Sequence, residues 1–176
     1  MRSETHKVCG GAAGWRCTTC GGLITRIEHG WVEWLAAEDP RGTATLKGLR
    51  LVHGPLRRSG ATGECGCQYD ARREFRNDRA IVEGLPLERF VGADGLMLLL
   101  AFLAADELPR NDVLELAKRV QIPGYEQTRE LFQGAINKGA VAPLIRPGYY
   151  LQFEIQALLK WADRESNRAK IDPLDG

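Results

Sequence analysis

The chain of 176 residues carries 24 Lys+Arg against 23 Asp+Glu, a net charge of +1, which excludes the uniformly basic surface of a nucleic-acid sponge or a membrane-surface binder. Its longest apolar run, GLMLLLAFLAA, falls well short of the roughly 20 residues a membrane span needs, and the opening MRSETHKVCGGAAGW has no apolar signal core; the expectation is a soluble, cytoplasmic protein with no membrane partner. All five cysteines lie between Cys9 and Cys67, an odd count that does not suit a secreted disulfide scaffold.

That segregation of cysteine divides the chain. Residues 1–68 read as a small module, 69–93 as an arginine-rich linker, 94–166 as a helical domain and 167–176 as a frayed tail. In the first module, GWVEWLAAE and LKGLRLVHG have the composition of strands, and the turn-rich DPRGTA between them predicts a hairpin. Trp31 and Trp34 are expected to pack that hairpin. The linker YDARREFRNDRAIVEGLPLERF has weak periodicity and room for one short helix.

Helical spacing begins at Asp94, a candidate N-cap for GLMLLLAFLAADEL. This segment is so apolar that burial around most of its circumference is expected. Asn111 can cap DVLELAKRV, in which Val113, Leu116, Ala117 and Val120 share one face. QIPG interrupts, since proline disfavours helix at the residue before it. A third helix is predicted over YEQTRELFQGAINKG, with Tyr125, Thr128, Phe132, Ala135 and Ile136 inward and Gly139 stopping it. In AVAPLIRPGYYLQ, Pro147 and Gly148 occupy the central positions of a type II turn between two short arms. FEIQALLKWADRE then offers Phe153, Ile155, Ala157, Leu158, Trp161 and Ala162 to one apolar stripe.

Cys17 and Cys20, in CTTCGG, have the spacing that lets two thiolates converge on one metal ion. Gly21 and Gly22 suit a knuckle in which backbone amides close on sulfur where a Cβ would crowd. The second pair comes from His53, Cys65 and Cys67. His53 ends the second strand and can reach back across the ribbon; Cys67 is favoured as the fourth ligand with Cys65 its competitor, and a Cys17, Cys20, Cys65, Cys67 site without His53 comes second. Cys9, with His6 before it, is left free. Zn²⁺ in a closed, structural site is the expected cofactor, standing in for the core that so small a module cannot build. A redox pair would need a strand feeding a helix at the motif, and GGLITRIEHGW starts no helix.

On CTTCGG and the later His and Cys, the first module resembles a zinc ribbon. On element order, with RVQIPGYEQTRELFQGAINKG as turn and third helix and VAPLIRPGYYL as wing, residues 94–164 resemble a winged helix-turn-helix domain. The whole resembles small proteins of bacteria and their phages. The fold class expected is α+β, a zinc-ribbon-like β module joined to a mainly α winged-helix-like domain. The winged-helix resemblance implies that the third helix enters the DNA major groove and the wing touches phosphate. Its outward positions would be Glu126, Gln127, Glu130, Gln133 and Asn137. Arg129 and Lys138 would lie at its margins; Gln127, Gln133 and Asn137 could read adenine edges, and Arg146 at the wing tip could touch a partner beside Tyr149 or Tyr150.

Residues 88–166 hold 9 Lys+Arg against 11 Asp+Glu, a net of −2, and residues 1–87 hold 13 against 10, a net of +3. Positive charge collects instead at Arg57 and Arg58 and along Arg72, Arg73, Arg76 and Arg79, which could grip phosphates or pair with Asp70, Glu74 and Asp78. No catalytic constellation and no small-molecule site is apparent, so no enzyme is expected. The leading expectation is a zinc-stabilised DNA-binding protein, a regulator or accessory factor of a bacterial or mobile-element system. The alternative is a protein-interaction adaptor or inhibitor that uses the helical domain as a platform. The two differ in the charge on the exposed face of residues 124–138 and in the fate of the four linker arginines.

Overall fold

A computed structural model describes residues 14–38, 42–54 and 66–171; Cys9, Cys65, His6, Arg57 and Arg58 lie outside them. The architecture is α+β. Strands β1 (Trp15–Arg16) and β2 (Leu23–Ile24) form a minimal antiparallel hairpin. Strands β3 (Gly30–Glu38) and β4 (Ala44–His53) are the two arms expected from GWVEWLAAE and LKGLRLVHG, and they pair antiparallel with Gly30 opposite His53. Residues 69–93, expected as a linker, hold helix α1 (Ala71–Asp78) and strand β5 (Ile81–Pro86), and β5 adds antiparallel to the free side of β3. The sheet order is β4-β3-β5.

Helices α2 (Gly92–Ala105) and α3 (Arg110–Gln121) follow. One core joins them to the sheet and to the β1–β2 hairpin: Cys17, Ile24, Val32, Trp34, Leu51, Val52, Cys67, Phe90, Leu99, Val113 and Leu116 form a single buried cluster. Trp34 carries much of this contact, edge-on to Phe102 at 5.5 Å between ring centroids and donating from its indole N–H to Glu83 on β5 at 2.9 Å. A second cluster, of Tyr125, Phe132, Ala135, Val141, Ile155 and Leu158, unites helices α4 (Tyr125–Thr128), α5 (Phe132–Asn137) and α6 (Gln152–Ile171).

Several local expectations are corrected. Val91, not Asp94, is the N-cap of α2, and Pro109, not Asn111, that of α3. Asp94 lies in the first turn of α2, where its charge still favours the helix dipole. Only Gly95 and Leu99 of α2 are fully buried, because the sheet and α3 cover one side of it and nothing among the described residues covers the other. The third helix is two pieces, α4 and α5, broken at residues 129–131. The wing reduces to one antiparallel bridge, Arg146 to Tyr149, closing the expected turn with Gly148 at φ +86°. In α6, Phe153 and Ala157 face outward. Buried Glu154 takes the inward place and accepts the backbone N–H of Leu144 at 2.8 Å and of Leu151 at 2.6 Å. The segment from 167 to 171, expected to fray, continues α6. No helix among the described residues is long and apolar enough to cross a membrane.

Gly95 marks the closest approach in the first core. A Cβ there would overlap the backbone of Phe90, whose Cα lies 2.8 Å away. Gly→Ala inside a helix ordinarily stabilises by about 1 kcal/mol. Gly95→Ala is expected to destabilise instead, lowering the urea midpoint; an unchanged or raised midpoint would show that the contact gives way.

Candidate metal centre

The turn between β1 and β2 is built from its own backbone. Cys17 N–H donates to Gly22 O at 2.8 Å and Gly21 N–H to Cys17 O at 2.9 Å, with Gly21 at φ +70°. Gly22 N–H points at Cys20 Sγ, 3.4 Å away. A Cβ on Gly22 would sit 3.2 Å from that sulfur and 3.4 Å from His53 Cε1, so a side chain there would crowd the site, as the sequence implied. Thr18 N–H donates to Leu51 O at 2.8 Å, laying the knuckle against β4, at whose end stands His53.

Cys67 arrives from the segment after β4. Thr19 Oγ1 donates to Cys67 O at 2.8 Å and Arg50 Nη2 donates to it at 3.1 Å. Arg50 is itself held by buried Glu33, 2.7 Å away, which also accepts Tyr69 N–H at 3.0 Å. The Arg50 guanidinium lies over the Tyr69 ring, 3.4 Å from its centroid. A charged network on the sheet thus fixes the backbone that carries Cys67.

The donor atoms of Cys17, Cys20, His53 and Cys67 all lie within 4.8 Å of one another. Cys20 Sγ is 3.6 Å and Cys67 Sγ 3.7 Å from His53 Nδ1. Metal–sulfur bonds of about 2.3 Å at tetrahedral angles separate neighbouring ligand atoms by roughly 3.6–3.8 Å; the two sulfur–imidazole distances match that spacing, and the four donors together lie close enough to hold one metal ion. Cys17 and Cys67 are buried while Cys20 is exposed. Burial pushes the Cys17 thiol up, but hydrogen bonding from the backbone at Cys20, His53 and Thr19 outweighs it and brings the pKa from 9.0 down to about 6. The thiolate, the form that binds metal, is therefore favoured at this sulfur near neutral pH.

A second feature clasps this site to the helices. Glu126, expected on the outer face of a recognition helix, is buried. Its carboxylate accepts Arg119 Nε at 2.7 Å, Arg119 Nη2 at 2.8 Å and the backbone N–H of Arg16 at 2.7 Å. Arg119 also donates to Arg16 O at 2.6 Å and to Thr18 Oγ1 at 3.3 Å. The sequence did carry a signal for this: Arg119, three residues after Leu116, falls on the margin of the apolar face of α3.

The remaining candidates fall into two groups. Arg72, Arg73, Arg76 and Arg79 are exposed on or beside α1. Glu74 and Asp78 project from the opposite side of that helix by its 3.6-residue period, and Asp78 binds Lys47 of β4 at 2.8 Å. Arg73 has an ion pair with Glu74 at 3.2 Å, and Arg79 stands over the exposed Phe75 ring, 5.2 Å from its centroid. Neither Arg72 nor Arg76 forms an ion pair with another described residue. Gln127, Gln133 and Arg146 belong to the second packing unit and are exposed. Gln133 Nε2 donates to Asn137 Oδ1 at 2.9 Å, and the Arg146 guanidinium lies 4.2 Å from the centre of the Tyr149 ring. Comparison with family models, curated proteins and solved structures gives no match.

Proposed function

We propose that Cys17, Cys20, His53 and Cys67 hold a structural zinc ion and that the sheet so stapled presents α1 to the phosphates of a nucleic acid. Three thiols and one imidazole clustered within 4.8 Å of one another are a donor set characteristic of closed zinc sites, and soft sulfur ligands select against magnesium or calcium. With four protein ligands no coordination position is left for a substrate, so the ion's role is to hold the fold. Reduced thiols of this kind suit the cytoplasm.

The observation that carries the nucleic-acid reading is the sidedness of α1: four arginines are exposed on or beside one face, while Asp78 turns to Lys47 on the sheet and Glu74 pairs only with Arg73 among the described residues. Exposed Phe75 between them adds an aromatic surface on which a base could stack. The face of residues 124–138 is also less acidic than its composition implies, since Glu126 is spent on Arg119. Neither α4 nor α5, of 4 and 6 residues, has the length of a groove-reading helix. Binding is therefore proposed to be phosphate-led, with little reading of sequence, as in an accessory factor more than a site-specific regulator.

The test is the salt dependence of binding to single- and double-stranded DNA. Each phosphate neutralised contributes about 0.9 to the slope of log K against log salt on duplex DNA. The double variant Arg72→Gln, Arg76→Gln is expected to lower that slope by about 2 while leaving metal content and circular dichroism unchanged. An unchanged slope, or no binding by the parent protein at low salt, would sink the reading. A protein-interaction adaptor is the second reading, favoured by the exposed apolar residues Leu144, Ile145 and Phe153; capture from extract that survives nuclease treatment would support it over the first.

A further inference from the structure

Helix α2 has two apolar faces, and the fold uses one. Gly95 and Leu99 point into the core, and Leu98, Phe102 and Leu103 pack against it. On the far side Ala93, Leu96, Met97, Leu100, Ala101 and Ala104 are all exposed, Leu96 at 43%, Met97 at 65% and Leu100 at 47%. Their spacing, i, i+3, i+4, i+7, i+8 and i+11, is one continuous stripe, and no charged residue occurs from 95 to 105. An apolar stripe of this length in water marks a contact surface.

We propose that the stripe is covered by a second copy of this chain, its α2 packed antiparallel on the first about a two-fold axis. An isologous contact requires a surface that complements itself on reversal. Centred between Leu98 and Leu99, the antiparallel register sets Met97 against Leu100 of the second copy, Leu96 against its Ala101 and Ala93 against its Ala104. Large residues then meet in the middle, each leucine at 96 faces a small residue, and alanines at both ends allow the 8–10 Å approach of packed helices.

Charge complementarity supports the same occupant. Arg89 precedes α2 and Glu107 follows it; both are exposed and neither has an ion pair among the described residues. The antiparallel register brings Arg89 of each copy to the end where Glu107 of the other stands, giving two symmetric pairs. A foreign partner would have to supply both charges separately.

Six stripe residues are few beside the 20–30 a side of a standard interface of about 800 Å² per partner. The apolar surface does continue past Met97 and Ala101 to Leu98 and Phe102, which with Trp31 and Trp34 line an open groove of about 550 Å³. The contact therefore falls in the weak, reversible class, with dissociation on the order of micromolar to tens of micromolar.

Sedimentation equilibrium of the full chain, metal included, tests this over about 1 to 500 µM. The expected mass rises from 19.5 kDa toward twice that value with concentration. Met97→Glu puts a charge against Leu100 of the second copy and is expected to weaken association at least 100-fold, with metal content and circular dichroism unchanged because the side chain is exposed. R89E and E107R are each expected to weaken it several-fold, and the double variant to recover the parent affinity, which a generic apolar association would not do. A chain that stays at 19.5 kDa throughout overturns the proposal and leaves the stripe to a different protein. A dimer untouched by Met97→Glu overturns it as well, moving the contact to a surface such as Leu144 to Phe153.

Discussion

Replacing Cys67 by serine is expected to release the metal and unfold the sheet together with helices α2 and α3. Apparent binding energies of structural zinc sites are on the order of 10 kcal/mol or more at neutral pH, comparable to the whole stability of a domain of this size, about 5–15 kcal/mol. A chain divided into separate units at residues 68 and 94 would keep its helical half after such a loss. The packing argues otherwise, because Cys17, Cys67 and Ile24 share one buried cluster with Leu99, Val113 and Leu116. Hydrogen exchange is the measurement: protection should collapse over residues 30–53 and 92–121 and persist best in the second cluster, around Phe132 and Leu158. Chelation of the parent protein should give the same map. One equivalent of metal retained by Cys67→Ser, with protection intact, would remove Cys67 from the site.

The second large effect is expected at Glu126. Truncation to alanine leaves the Arg119 guanidinium buried without its counter-charge and the Arg16 amide without its acceptor. Removing one member of a buried, hydrogen-bonded pair costs about 3–5 kcal/mol. For a chain of this length that corresponds to a fall in Tm of roughly 10–15 °C. Arg119 and Glu126 side chains are only 6% and 4% exposed, so screening by solvent is slight. The double variant Arg119→Met, Glu126→Leu is expected to regain part of the loss, since it strands no charge at 119; the recovery is partial because Arg129, 3.4 Å from Glu126, is left with Glu115 and Glu130 and the Arg16 amide still lacks its acceptor. A loss below about 1 kcal/mol for Glu126→Ala would mean that water reaches the guanidinium and that the clasp contributes little.

These two sites show where the sequence was legible. Cys17 and Cys20 could be picked out because metal ligation imposes a short spacing, and His53 because it ends a strand; Cys67 was favoured over Cys65 with no spacing rule to separate them, and the structure brings Cys67 to the other three. The β3–β4 hairpin was legible for the same reason, being local. Strand β5 was not: IVEGLP follows an arginine-rich helix and contains glycine and proline, and its only pairing is with a strand about fifty residues earlier. Helix α2 misled in a different way. An apolar helix states that two faces avoid water, but not that both are satisfied within one chain. Glu126 was placed outward by helical period, yet α4 is a single turn lodged between α3 and the knuckle, where packing overrides periodicity. Buried Glu33 meets Arg50 directly across the hairpin, a partner that needs the register as well as the two strands, whereas Tyr69 is one that no spacing rule would have named.

The clasp of Arg119 on Arg16 O and the Thr18 hydroxyl also orders events in time. Synthesis runs from the amino end, so Cys17, Cys20, His53 and Cys67, the four proposed ligands, are all made before α3 and α4. The ion can be captured while the side of the sheet that will receive Trp34 and Leu51 against helices is still bare, and the interval before closure lasts for the roughly fifty to sixty codons that separate Cys67 from Glu126. Zinc arriving early would then act as a placeholder, holding the register of β3 and β4 over a loop whose entropy a late hydrophobic contact would otherwise have to overcome.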